Sequence, residues 1–213
     1  HPAAIELPEV GTPIVPGNWR RTQTVTISFG HGISVSPLQL TAAIAASVNG
    51  GIFHQPTVVE TSHNKNGKRV FTKATSRKMR QLLRLSVLEG TGKAAAARGY
   101  LVGGKTGSAE KRGANGYDKD LLISSFVGVF PIIKPRYAVF AMIDEPVGTQ
   151  ETQFHTTGGW VAAPIVGKVI QQIAPILNVV PIDENTPSIR KALTIPSYKP
   201  TPEARTLASF KAH

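Results

Sequence analysis

The residues best suited to chemistry lie in one hexapeptide near the middle of the chain, Gly103-Gly-Lys-Thr-Gly-Ser108. Lys105 supplies an ammonium group, and Thr106 and Ser108 supply two hydroxyls. The three glycines leave the backbone open, so that a ligand can lie along it. A bare backbone beside one positive charge and two hydroxyls suits an anionic, peptide-like ligand.

The residues on either side predict the shape of this segment. Tyr100-Leu-Val102 is apolar, partly β-branched and without helical periodicity, which indicates a strand. The preceding Lys93-Ala-Ala-Ala-Ala-Arg98 is typical of a helix. Glycines at 107, 113 and 116 follow Lys105 too closely for a helix to begin there. The sequence therefore predicts a short helix and then a strand that carries Lys105.

A phosphate-binding loop is one alternative, because Gly99-x-x-x-x-Gly104-Lys105-Thr106 matches the pattern GxxxxGK[ST]. The apolar run Val139–Ile143, followed by Asp144, resembles the strand and acid that hold magnesium in such enzymes. That loop must leave a strand and open a helix at its Lys-Thr, so that helix N-terminal amides bind phosphate. Here the predicted order is reversed, and a nucleotide triphosphatase remains a remote alternative.

A longer stretch, Gly90 to Lys111, resembles the third signature region of the class B penicillin-binding proteins, which are the D,D-transpeptidases of bacterial cell-wall synthesis. Lys105-Thr-Gly107 is the element named in that signature. Further matches follow the family's order over about residues 19 to 175: Phe29-Gly-His-Gly-Ile33, Ser36-Pro-Leu-Gln-Leu40, Phe126-Val-Gly-Val-Phe-Pro131, Pro135-Arg-Tyr137, Asp144-Glu-Pro146 and Ala162-Ala-Pro164. The resemblance implies an α/β (α+β) fold, with an antiparallel sheet flanked by helices, as in the C-terminal portion of the β-lactamase/transpeptidase-like fold.

The resemblance also implies roles for the hexapeptide. In the family, the serine of a Ser-x-x-Lys motif attacks the D-Ala-D-Ala peptide bond, a Ser-x-Asn motif assists proton transfer, and the Lys-Thr-Gly strand binds the substrate. Lys105 would supply positive potential, and Thr106, Gly107 and Ser108 would bind the substrate, with the two hydroxyls on its carboxylate. The backbone amide of Ser108 would be one donor of the oxyanion hole. Thr156-Thr-Gly-Gly-Trp160 departs from the tyrosine-glycine-glycine usual in the family.

The ligands and partners that the resemblance implies are the peptidoglycan stem peptide, β-lactam antibiotics, the N-terminal part of the same domain, and division proteins of septal wall synthesis. The location it implies is the periplasmic side of the bacterial inner membrane, with the anchoring helix outside this soluble segment. No run here approaches the ~20 apolar residues that span a bilayer.

No convincing nucleophile is present. The motif requires a serine that opens a buried helix, so that its hydroxyl meets a lysine one turn further on. Three stretches imitate the Ser-x-x-Lys motif: Ser62-His-Asn-Lys65 in a predicted hairpin, Ser108-Ala-Glu-Lys111 on the strand and Ser188-Ile-Arg-Lys191 in the tail. One stretch, Ser47-Val-Asn49, imitates the Ser-x-Asn motif, but it ends a predicted helix. We therefore expect the C-terminal half of a transpeptidase domain, inactive alone. A non-catalytic binding module is the alternative, and motifs preceding His1 would discriminate the two.

Composition sets further limits. The 213 residues, 41% hydrophobic and 17% charged, suit one core, which we assign to residues 1–180, with a proline-rich, flexible tail at 181–213. The absence of cysteine excludes disulfides and thiolate sites, and the six histidines lack metal-binding spacing, so neither metal nor cofactor is expected. The net charge of +11 is scattered, and with 7% aromatic residues and no recognised module it does not indicate nucleic-acid binding. A solvated basic surface, or one attracted to anionic lipid or wall polymer, fits better.

The remaining elements are predicted from periodicity and caps. The strands at 121–130 and 137–143 must be antiparallel, because Pro131–Arg136 is too short for a parallel crossover. The other expected elements are a helix from Pro37 to Val48 capped by Ser36, strands at 52–53, 57–59 and 69–71 with a turn at 64–67, a helix from Thr75 or Ser76 to Glu89, and a helix from Gly158 to Leu177 with Val161, Ile165, Val169 and Ile173 on one face.

Overall fold

Five strands and six α-helices make up the part of the chain described by the computed structural model, which covers residues 5–60, 67–113 and 116–195. In chain order the elements are α1 (Arg21–Ser28), α2 (Pro37–Val48), β1 (Ile52–Phe53), β2 (Lys68–Arg69), α3 (Lys73–Leu88), a 3-10 turn (Lys93–Ala95), β3 (Gly103–Gly113), β4 (Gly116–Phe130), β5 (Tyr137–Asp144), α4 (Gly158–Val161), α5 (Ala163–Ile176) and α6 (Pro187–Leu193).

The main sheet has the order β3-β4-β5, and both pairings are antiparallel. Lys105 lies opposite Val127, and Ser108 lies opposite Ser124. This confirms the predicted antiparallel sheet flanked by helices. It also removes the context that a phosphate-binding loop requires, because a strand and not a helix runs through Lys105.

Helix α2 is specified locally, and the prediction of its bounds is confirmed. The Ser36 hydroxyl accepts a hydrogen bond from the Gln39 amide at 3.2 Å, and the Gln39 side chain accepts one from the Ser36 amide at 3.0 Å. After the helix, Gly50 and Gly51 have φ of +99° and +91°, a conformation that favours glycine. A hairpin of β1 and β2 then follows, but its second strand is Lys68–Arg69 and not the predicted 69–71. Its turn lies outside the described residues apart from Gly67.

Three predicted elements differ from the structure in type or extent. Residues 57–59 form no strand, and the helix expected from Lys93 is only a 3-10 turn that ends at Ala95. Helix α3 begins at Lys73, capped by the Thr72 hydroxyl, which accepts from the Thr75 amide at 3.0 Å. Ser76 is instead a buried contact, because its hydroxyl accepts from the amide of Gly50 at 2.9 Å.

The strand predicted at 100–102 is also displaced, since β3 begins at Gly103. Leu101 has a left-handed φ of +43°, which an extended strand does not allow. Its carbonyl accepts a hydrogen bond from the Ile132 amide at 2.9 Å, and its side chain is buried. Long-range contacts therefore override the local strand propensity at this point.

The main core lies between the sheet and α5. Phe126 and Phe130 of β4 are fully buried there against Val166 and Ile170. The packing face predicted for the helix from Gly158 to Leu177 was wrong, because this helix is interrupted at Ala162, between α4 and α5. The buried residues of α5 are Ala163, Val166, Gly167, Ile170 and Ala174. Ile165, which was expected to face the core, is 42% exposed.

The segment 181–195 packs against a second core cluster, whereas the sequence indicated a tail from Pro181 onward. Ile182, Ile189 and Leu193 contact this cluster, which contains Leu101, Ile132 and the buried residues Val48, Leu83 and Val129. Helix α6 belongs to the same segment. Residues 196–213 of the predicted tail lie outside the described residues. Within the described ranges, no helix has the length and apolar character needed to cross a membrane.

Candidate substrate-binding strand

The predicted site residues lie together at the edge of the sheet. Strand β3 pairs only with β4 in the described part of the chain, so its other side is open. Lys105 and Ser108 are exposed, and Thr106 and Gly107 are half-buried. The ammonium group of Lys105 donates hydrogen bonds to the carbonyl of Thr106 at 2.9 Å and to its hydroxyl at 3.3 Å. An open strand edge with a lysine at its start can bind an extended, anionic peptide.

Both hydroxyls of the strand already have protein partners. The Ser108 hydroxyl accepts a hydrogen bond from the Gly158 amide at 3.0 Å, and the Thr106 hydroxyl lies 2.8 Å from that of Thr91. A hydroxyl has one donor and two acceptor positions. Because Ser108 uses an acceptor position for Gly158, its proton remains available to a ligand carboxylate.

The start of α4 is held closely against β3 and β4. A Cβ on Gly158 would collide with the carbonyl oxygens of Ser125 and Gly107, the latter at 2.7 Å. Ser124 is fully buried in β4 and donates to the Thr156 carbonyl at 2.6 Å. Gly158 therefore allows the contact that brings its amide to Ser108. The sequence prediction missed this role, although the Gly-Gly pair before a helix was its visible signal.

An aromatic pair borders this contact. The rings of His155 and Trp160 stack with centroids 4.6 Å apart, and Phe154 beside them is 72% exposed. In the sequence they flank Thr156 and Thr157, which lie in the stretch that departs from the tyrosine-glycine-glycine usual in the family. The segment that leads into α4 therefore carries aromatic rings even though the usual tyrosine is missing.

Lys111, at the far end of β3, is bound to two carboxylates. Its amine lies 3.0 Å from Asp144 Oδ1 and 2.7 Å from Glu145 Oε1. The hydrogen bonds that the Lys111 ammonium donates to Glu145 and, with a smaller effect, to Asp144 raise the pKa of Lys111. Both acids can reach the same amine because β5 ends at Asp144 and Glu145 adopts a left-handed φ of +51°. The described residues contain no cluster of three potential metal ligands.

We expect Lys111→Met to reduce stability slightly, since this ion pair is partly exposed. The raised pKa of Lys111 means that its contribution is complete below the ordinary lysine pKa and is lost as pH rises through the raised value. Urea denaturation of wild type and variant from neutral to strongly alkaline pH should show midpoints that converge at the alkaline end. Lys68→Met, on β2, is the control, and a pH-independent difference for Lys111→Met would contradict the expectation.

The imitations of the nucleophile motif do not form a reactive pair where the structure describes them. Ser108 and Lys111 are engaged with Gly158 and with the acids. Ser188 and Lys191 share helix α6 rather than a tail, but both are exposed. They line a cavity of about 560 Å³ together with Arg77 and Arg80, and no residue of the β3 hexapeptide borders it.

The remaining two motif-like sequences are Ser47-Val-Asn49 and the stretch at 62–65. Ser47 donates its hydroxyl to the Ile44 carbonyl at 2.7 Å, and the Asn49 side chain bonds the backbone of Ile52. These are local contacts at the end of a helix. The imitation at 62–65 lies outside the described residues.

Comparison with known proteins gives a consistent result. The family model "Penicillin binding protein transpeptidase domain" matches residues 1–171. The chain is 39% identical over 189 residues, 84% of its length, to the probable peptidoglycan D,D-transpeptidase FtsI of Caulobacter vibrioides. It is 39% identical over 171 residues, 75% of its length, to stage V sporulation protein D of Bacillus subtilis. It covers 32% and 26% of those relatives, and so spans about a third or less of their length.

A solved structure is similar as well. The TP domain of penicillin-binding protein 3 from Burkholderia pseudomallei superimposes with a TM-score of 0.75 at 35% identity. The match covers 87% of this chain and 55% of that one.

Proposed function

This chain belongs to the penicillin-binding protein transpeptidase family, and we propose from this premise that it provides the substrate-binding strand of a serine D,D-transpeptidase that crosslinks peptidoglycan stem peptides. The observation that carries the proposal is the open edge of β3, where Lys105, Thr106 and Ser108 lie within four residues beside the start of α4. β-Lactam antibiotics are the second ligand class of this site.

The reaction is an acyl transfer. A serine oxygen attacks the carbonyl of the penultimate D-alanine, the amide bond breaks, and the terminal D-alanine leaves with a proton on its nitrogen. An amine of a second stem peptide then attacks the resulting ester, the ester bond to the serine breaks as the crosslink forms, and the amine loses one of its own protons to the serine oxygen. A β-lactam acylates the same serine by opening its ring.

The residues of β3 stabilise two negative charges in this reaction, the substrate carboxylate and the charge that develops at the carbonyl oxygen. Lys105 attracts the substrate carboxylate and lowers the energy of the negative charge that develops at the carbonyl oxygen. The hydroxyls of Thr106 and Ser108 bind the carboxylate, for which Ser108 still has its proton. The backbone amide of Ser108 donates to the oxyanion, an interaction whose loss typically costs about 3 kcal/mol.

The attacking serine comes from a preceding part of the same transpeptidase domain. Support for such a partner comes from the first 35 residues, where large apolar side chains are exposed: Ile14 by 72%, Trp19 by 58% and Phe29 by 66%. Helix α1, in the same region, has no buried residue. Neighbouring exposed apolar groups of this kind mark interaction surfaces.

The cellular setting is part of the same proposal. The reaction takes place on the periplasmic side of the inner membrane, in septal wall synthesis, with division proteins as partners. Support comes from the resemblance to the septal class and from the relatives named FtsI and stage V sporulation protein D.

A non-catalytic module that binds wall peptide is the second candidate. It is favoured by one observation, namely that the Ser-x-x-Lys imitations of the described residues form no reactive pair. The two candidates share the peptide-binding strand and differ in whether a serine reaches it.

Labelling with a fluorescent penicillin discriminates between them. We expect no covalent band from this chain and a strong one from the parent protein, extended N-terminally by about 250 residues, a domain-sized addition. The band should be lost when excess unlabelled penicillin is added first. Labelling of this chain alone would contradict the missing serine, and labelling of neither protein would favour the binding module.

A further inference from the structure

The approach to the substrate-binding strand is held by contacts from outside the sheet. Three carbonyls shortly before β3 accept hydrogen bonds from distant parts of the chain. Gly99 O accepts from the Ile182 amide at 2.7 Å, and Leu101 O accepts from the Ile132 amide at 2.9 Å. Val102 O accepts from the guanidinium of Arg84 at 2.8 Å. The direction in which β3 leaves Leu101 therefore depends on these donors.

Arg84 is an unusual donor for this position, because it is a cation on α3 that is only 5% exposed. One of its nitrogens bonds Val102 O, and another forms an ion pair with the Glu184 carboxylate. Burial lowers the pKa of Arg84, and the nearby charge and hydrogen bond of Glu184 oppose that effect. A buried cation needs such a partner. Glu184 therefore offsets the desolvation of the Arg84 guanidinium and holds it directed at the carbonyl.

Helix α3 closely approaches the first residue of β3, Gly103. A Cβ on Gly103 would lie 3.2 Å from the Arg84 amide nitrogen and 2.7 Å from Ile132. Lys105 follows Val102 by three residues of extended chain, about 10 Å at the usual rise per residue. A change at Val102 O therefore reaches Lys105 and Ser108 along a continuous strand.

The segment 181–195 provides one of the three donors, the Ile182 amide, and the carboxylate of Glu184 that holds Arg84. It also contacts α3 at a second place. The Gln81 side chain donates to the carbonyls of Ala192 and Thr194 at 3.1 and 3.3 Å. The segment lies beyond residue 171, where the family match ends. Its role is therefore a property of this chain that the family match does not assign.

We infer that Arg84 and the segment 181–195 form a clamp that positions the substrate-binding strand for acylation, with Arg84 as a positioning residue that touches no substrate. The inference rests on the proposed function. If the clamp acts in this way, the part of the chain that acylation requires extends beyond α5 to the end of α6.

The test uses the parent protein and a fluorescent penicillin at a series of concentrations up to saturation. Two variants remove the clamp, Arg84→Met and a deletion of residues 181–213. Two controls keep it, Arg190→Gln on the exposed face of α6 and a deletion of 196–213. Stopped-flow acylation gives the rate constant of the chemical step, its concentration dependence gives the dissociation constant, and the burst amplitude gives the active fraction.

We expect the rate constant to fall about tenfold in both clamp variants and to stay within about twofold of wild type in both controls, since a small misplacement of catalytic groups is costly. Glu184→Gln, which keeps an acceptor for Arg84, should recover part of the loss seen in Glu184→Ala. A purely structural role would reduce the burst amplitude and leave the rate constant of the active molecules unchanged, and that result overturns the inference.

Hydrogen exchange separates this inference from the proposed function. If the wild-type parent protein does not react with penicillin, the proposed function fails. The clamp still predicts faster exchange of the amides from Lys105 to Ser108 in Arg84→Met than in Arg190→Gln. Equal exchange in the two variants overturns the clamp whether or not the parent protein is acylated.

Discussion

Lys105→Ala is expected to lower the acylation rate constant of the parent protein about 100-fold or more, with little change in thermal stability. Lys105 is exposed, and both hydrogen bonds of its amine go to the neighbouring Thr106, so its removal leaves the core intact. The same amine supplies the positive charge at the open edge of β3. Removal of a single group that stabilises developing charge typically costs a factor of about 100 to 1,000 in rate.

The measurement is penicillin acylation at several substrate concentrations, with the melting temperature recorded for each variant. Lys168→Ala, an exposed lysine on α5, is the matched control and should behave as wild type. Lys105→Arg keeps the charge, so it should retain more activity than alanine. Acylation at the wild-type rate by Lys105→Ala would show that another cation serves the site.

What the sequence predicted correctly was determined locally. Ser36 and Gln39 cap α2 through groups three residues apart, and Gly50 ends it, so a short window contains all the information. The antiparallel pairing of β4 and β5 follows in the same way from the length of the connection between them. The hexapeptide was found from its residue types, because a lysine, two hydroxyls and three glycines rarely share six positions.

What the sequence did not predict depends on distant contacts. Leu101 leaves the strand conformation because Ile132 holds its carbonyl from thirty-one positions away. Arg84 looked like any polar residue of an amphipathic helix, and only Glu184, one hundred positions further on, explains its burial. Proline-rich composition suggested a tail at the very segment that holds Glu184. Composition indicates how a segment behaves in isolation, whereas its packing also depends on the apolar surface of the folded domain that it contacts.

The contact between α4 and β3 shows how the strand and its surroundings act together. Ser108 is useful to a ligand only if its hydroxyl is oriented, and the Gly158 amide orients it by occupying an acceptor position. The Thr106 hydroxyl shares a hydrogen bond with the hydroxyl of Thr91, which also restricts its direction. Neither partner is part of the Lys-Thr-Gly signature. The signature therefore names the groups that we propose bind the ligand, and the fold around it sets their directions.

Gly158→Ala tests this contact and is expected to reduce acylation of the parent protein about 100-fold, because the added Cβ would collide with the backbone of Ser125 and Gly107 and push α4 away from Ser108. Overpacking of this kind should also cost about 1–3 kcal/mol of stability, measurable by urea denaturation. Lys168→Ala, an exposed substitution on α5, is again the control. If Gly158→Ala retained the wild-type rate and stability, α4 would not orient Ser108, and the hydroxyl would have to be fixed by the ligand itself. A loss of rate at nearly unchanged affinity for penicillin would instead indicate that the contact acts in the transition state, where the Ser108 amide meets the oxyanion.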